Sequence, residues 1–168
     1  RTDLDPRAAT AETNETNESS ILDQFVARAV GCDIFYCADL MELRTLIRGA
    51  DYEYVEIVGE DLGGDLRTWK GIFINKEFRV VMLNIRDSAQ LACDLSRSVT
   101  PHCFLGFNSA LREDQSLMFS FAFWSRLNEG QNAVRDALAY AFEQMDIEAR
   151  AMVKCYLRSD APVSLNSL

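Results

Sequence analysis

Few side chains in this 168-residue chain have reactive chemistry, and their spacing limits what they can do. The single histidine, His102, sits beside Cys103, so a Ser-His-Asp or Cys-His arrangement must use that imidazole or do without one. The segment holding the pair reads as the start of a strand, where adjacent side chains point to opposite faces. A dyad is therefore not expected, and Cys103 reads as a small thiol in the core. Cys32 and Cys37 stand five positions apart with no second pair, whereas a zinc site takes about four Cys/His ligands at recognisable spacing. No metal or cofactor is expected. Five cysteines, Cys32, Cys37, Cys93, Cys103 and Cys155, are an odd number without framework spacing, which fits a reducing compartment.

Carboxylates gather in Glu53, Glu56, Glu60, Asp61 and Asp65. Paired carboxylates do general acid-base work or hold hard cations, but the calcium-loop order of ligands is absent. Glu53 and Glu56 have opposite strand parity, so the cluster reads as a solvated strand face and loop. Gly63-Gly64 precedes an expected strand and lacks both the Lys-Ser/Thr of a phosphate loop and the GxGxxG order of a dinucleotide fold. It reads as a tight turn. No motif dictates a chemistry, and no catalytic residue is assigned.

Composition bounds the partners. The chain is 48% hydrophobic and 26% charged, as in ordinary soluble globular proteins, and its length suits one domain with a tail. Lys+Arg 17 against Asp+Glu 26 leaves a net charge of −9 and a pI near 4.6, which disfavours a phosphate-backbone partner. Neither nucleic acid nor a membrane is expected, since the richest apolar run, Leu117 to Trp124, is far short of a span. A start on Arg1 suggests a processed fragment, and the expected localisation is cytoplasmic.

The elements that would position these residues follow from periodicity. Residues 1–19, rich in Thr, Glu, Asn and Ala, read as a disordered tail. Its two N-glycosylation patterns, at Asn14 and Asn17, are the kind that arise by chance. A single α+β domain is expected over 20–158, and 159–168 reads as a frayed end. Ile21, Leu22, Phe25, Val26 and Ala29 mark a first helix, and Asp39 caps a second with Leu40, Leu43, Leu46 and Ile47 as its stripe. Tyr52 to Val58 is a strand. Leu66 to Ile74 and Phe78 to Ile85 form a hairpin about Asn75-Lys76-Glu77, with the latter strand central. Asp87 or Ser88 caps a helix through Leu91, Leu95 and Val99. A second hairpin pairs His102 to Leu111 with Ser116 to Trp124, which would place Phe119, Phe121 and Phe123 on one face. Capped at Asn128, Val134, Leu138, Ala141, Phe142, Met145, Ala149 and Met152 predict a C-terminal helix of about 39 Å at about 1.5 Å per residue. The expectation is a twisted, mainly antiparallel sheet of about five strands packed against helices.

That element order resembles the YbjN family and the related type III secretion chaperone fold over roughly Asp39 to Val153. The carrying segments are Leu43-Arg44-Thr45-Leu46-Ile47 leading to Asp51-Tyr52-Glu53-Tyr54, the strand Phe78 to Leu83, Phe104-Leu105-Gly106-Phe107-Asn108, and Leu117 to Trp124 before the long helix. The helix at Ile21 to Val30 departs from the family outline. The resemblance implies a chaperone-like or regulatory homodimer that binds a partner polypeptide without catalysis. Candidate partner-binding residues are Phe119, Phe121, Phe123, Trp124 and Phe142. The alternative is an acidic immunity- or inhibitor-type protein that neutralises a basic toxin or enzyme through Glu53, Glu56, Glu60, Asp61 and Asp65. An enzyme with Cys103 or Cys37 as nucleophile ranks last.

Overall fold

Asp39 starts the first element by capping: its Oδ1 accepts from the backbone N–H of Met41 at 2.9 Å and of Glu42 at 2.8 Å, while Glu42 reaches back to the N–H of Ala38 at 2.7 Å. These bonds satisfy orphan donors of the first turn. Helix α1, Leu40–Gly49, then buries Leu43 and Ile47 one turn apart. The computed structural model describes residues 33, 35–49, 51–59, 62–109, 111–129 and 133–157. The elements named here lie in the unit from Tyr36 to Leu168. The expected tail over 1–19, the helix over 21–30, Cys32, Glu60, Asp61 and the end over 159–168 lie outside the described residues.

The remaining order is β1 (Tyr54–Gly59), α2 (Leu66–Phe73), β2 (Val80–Ile85), α3 (Ala89–Ser96), β3 (Cys103–Phe107), α4 (Glu113–Asn128), α5 (Val134–Glu143), α6 (Ile147–Met152) and β4 (Val153–Leu157). The fold is α+β, with a mixed four-stranded sheet in the order β1-β2-β3-β4. β1, β2 and β3 run parallel and β4 pairs antiparallel with β3.

Several sequence expectations fail here. Of the expected strand Leu66 to Ile74, Leu66–Phe73 is helical: Asp65 caps α2 by accepting from Thr68 N, and Trp69, Ile72 and Phe73 bury at helical spacing. A helix between two strands makes a crossover, so β1 and β2 are parallel and the mainly antiparallel sheet is overturned. Ser116 to Trp124 is also helical, inside α4. Its apolar residues surround the helix, and alternation in so apolar a run imitates a strand. The long C-terminal helix breaks where Asp146 caps α6 through Ala149 N, and the β-branched and aromatic run Val153–Leu157 becomes a strand. Asn128 ends α4 and Ala133 takes the N-cap position of α5. The sheet has four strands, and the element order that carried the family resemblance is not the observed one.

Alternation along the strands divides the core. Val81, Leu83 and Ile85 of β2, Ile57 of β1 and Phe104 of β3 share one face with Leu43, Ile47, Trp69, Ile72, Phe73, Ala92 and Leu95 of α1–α3. The opposite face carries Glu56, Met82, Asn84 and Phe107, and α4 packs there, with the Phe107 and Phe119 rings edge-to-face at 6.1 Å. Gly106 allows the close approach of α3 to β3: a Cβ there would stand 2.8 Å from Ser88 O and 2.9 Å from Ala89 Cα. Gly63 and Gly64 hold φ of 59° and 85°, the turn expected from sequence.

Candidate functional site

Glu56 projects from β1 under α4, and three donors converge on it. Its Oε1 accepts from Asn84 Nδ2 of β2 at 2.9 Å and from Ser120 Oγ at 2.7 Å, and its Oε2 accepts from Trp124 Nε1 at 2.6 Å. Asn84 Nδ2 donates also to Ser116 Oγ at 2.7 Å. Ser116, Ser120 and Trp124 are spaced i, i+4, i+8, so one face of α4 presents all three to the sheet. The carboxylate is used on both oxygens, which suits fixing a helix on a sheet rather than abstracting a proton. Sequence reading placed Glu56 on a solvated face. The signal that would have corrected it, the polar stripe of α4, was hidden by reading that segment as a strand.

At the carboxyl ends of the parallel strands, where open α/β sheets commonly bind ligands, a serine fills the fork between β2 and β3. Their pairing covers only Val80–Met82 against Cys103–Leu105. Beyond it, buried Ser88 donates from Oγ to Leu83 O at 2.6 Å and accepts from Phe107 N at 3.1 Å. Asp87, with φ 55°, supplies the sharp turn that brings Ser88 there. These polar atoms are satisfied within the fold.

The predicted site residues are dispersed. Phe119 and Phe123 stack at 6.0 Å and are 1% and 0% exposed, in the core, with Trp124 against Phe123 at 4.8 Å. Phe142 is half-buried, its ring 6.0 Å from Phe119 in the contact between α4 and α5. A helix turns Phe121 away from Phe119 and Phe123, and it is exposed. Exposed Glu53 pairs with Arg79 at 3.5 Å. Asp65 accepts from Thr68 N at 2.8 Å and Thr68 Oγ1 at 2.7 Å, and these hydrogen bonds hold its carboxyl below the usual carboxylate range. Glu53, Glu56 and Asp65 thus serve three different places and do not form one acidic face. His102 is exposed and Cys103 buried, on opposite sides of the chain. Among the described residues no group of three or more His, Cys, Asp or Glu is placed to hold a metal ion, and no helix is long and apolar enough to cross a membrane.

One surface does gather apolar side chains at a backbone edge. β1 is an outer strand, and among the described residues no strand lies on its far side. Val58 is on the same strand face as Glu56, beside Asn84 in register, yet is 64% exposed. Ser116 and Ser120 reach Asn84 and Glu56. Leu117 and Phe121, one position further round α4 on the side of Trp124 and Tyr54, therefore stand toward the open edge. Sequence reading missed Val58 and Leu117 because the edge is defined by parallel pairing that the hairpin assignment excluded. Comparison with protein-family models and with curated proteins gives no match for this chain.

Proposed function

We propose that the chain is a non-enzymatic binding module of the cytoplasm that takes up an extended polypeptide segment along the open edge of β1. The observation carrying this reading is the exposure of Val58 (64%) and Phe121 (43%) beside an outer strand with no strand neighbour on that side among the described residues. An outer strand offers unpaired N–H and C=O groups to an added strand, while flanking side chains select the alternating residues of the guest. The net charge of −9 and exposed Glu53 favour a guest that alternates apolar and basic residues. The Glu56 network fixes α4 in register with β1, so the receiving edge is rigid before the guest arrives.

The test is titration of the chain with fluorescent decapeptides that alternate Val or Leu with Lys, against the same peptides carrying Glu. Saturable binding of the basic set is expected, with affinity falling about tenfold or more in Val58→Asp and in Phe121→Asp, an effect of about 1.4 kcal/mol or more. Binding that ignores both substitutions, or no saturable binding across the set, overturns the proposal. A chain whose solution mass is that of a dimer, reverting to monomer in Val58→Asp, identifies the guest strand as a second copy.

A further inference from the structure

Cys103 of β3 and Cys155 of β4 lie side by side in a part of the sheet that the β1 edge does not touch. Their Sγ atoms are 3.4 Å apart. The register pairs Cys103 with Leu157 and Leu105 with Cys155, so the two thiols sit diagonally on one face of an antiparallel pair and lean toward each other. Cys103 is buried, whereas Cys155 is half-buried on an outer strand. We propose that Cys103 and Cys155 are a reversible disulfide site, oxidised by hydroperoxides.

The accessible sulfur reacts first. Cys155 Sγ gives up its proton and attacks one oxygen of the hydroperoxide: an S–O bond forms, the O–O bond breaks, and the leaving alkoxide takes up that proton to become an alcohol, or water from hydrogen peroxide. Cys103 Sγ then attacks Cys155 Sγ. The S–S bond forms, the S–O bond breaks, and the hydroxyl departs as water with the proton of Cys103. Each sulfur loses one electron, and the peroxide oxygens gain both. The hydrogen bond with Cys155, followed by burial, pushes the Cys103 thiol well above its ordinary value, which suits the resolving partner rather than the first nucleophile.

Closing the pair to an S–S bond of about 2.05 Å requires a shift of more than about 1 Å. Among the described residues β4 has a strand neighbour only on the β3 side.

The experiment exposes the reduced, folded chain to hydrogen peroxide, blocks remaining thiols with N-ethylmaleimide, and maps peptides by mass. The expected product joins the peptides of Cys103 and Cys155, two hydrogens lighter than their sum, and dithiothreitol restores both thiols. In Cys103→Ser, dimedone should trap a sulfenic acid on Cys155, and in Cys155→Ser, Cys103 should stay a thiol. The proposal is overturned if Cys155 passes to sulfinic acid while Cys103 remains a thiol in the unsubstituted chain, or if Cys37 or Cys93 takes the partner's place in the product.

Discussion

The two faces of the sheet are covered by helices in different ways. Against α1–α3 the contact is built on an apolar cluster, with Ile72, Phe73, Val81, Leu83, Leu95 and Phe104 fully buried. Against α4 a carboxylate sits within the contact, and Glu56 binds Asn84, Ser120 and Trp124 around it. Apolar burial is non-directional and tolerates sliding, whereas a carboxylate with three named donors fixes one placement. The second face, which also buries Met82, Phe107, Phe119 and Phe123, sets where α4, and with it Phe121, stands relative to β1.

The comparison breaks most visibly on the apolar side. Phe73→Ala removes a ring that contacts those of Phe78 at 6.3 Å and Phe104 at 5.7 Å, and should cost about 3–5 kcal/mol in urea unfolding. Glu56→Ala takes the carboxylate acceptor from Ser120 and Trp124, while Asn84 keeps its bond to Ser116. It should cost about 2–3 kcal/mol, and in a double-mutant cycle with Trp124→Phe the two losses should not add. Additive losses would show that the carboxylate does not hold the indole. The smallest effect lies at the cap of α2. Folding lowers the Asp65 pKa, through the hydrogen bonds from Thr68. Its contribution to stability is therefore full above the unfolded value of about 3.9 and is lost as pH falls through the lower folded value. Asp65→Asn keeps an acceptor for the cap, so urea midpoints from about pH 5 down to about pH 2 should fall less steeply than in the unsubstituted chain.

Local signals were legible where one element was enough to explain them. The cap Asp39, the stripe Leu43 and Ile47, the central strand over Val80–Ile85 and the turn at Gly63-Gly64 each declare themselves within a few residues. Alternation and helical spacing were confused where nearly every residue is apolar, as in Leu117 to Trp124, because apolar side chains on the exposed as well as the buried face remove the polar positions that mark a period. At Leu66 to Phe73 the signal was present, since Asp65 three residues before Thr68 is a cap pattern, but the aromatic and β-branched content pointed to a strand. Of the candidate site, Phe121 was found for the wrong reason. Val58 was read only as a strand residue, because its exposure depends on which strand is outermost, a property of pairing far along the chain.

The strand order also has a consequence for how the chain assembles. β1 pairs with β2 and β2 with β3, each across one intervening helix, so this half of the sheet grows from near neighbours. β4 returns to β3 only after α4, α5 and α6, a longer loop to close and a slower contact to gain. Until it docks, β3 presents an unpaired edge holding Phe104 and Leu105, the kind of surface on which unfinished chains associate with one another. The last strand to join is therefore the one that shields the growing sheet from its own kind.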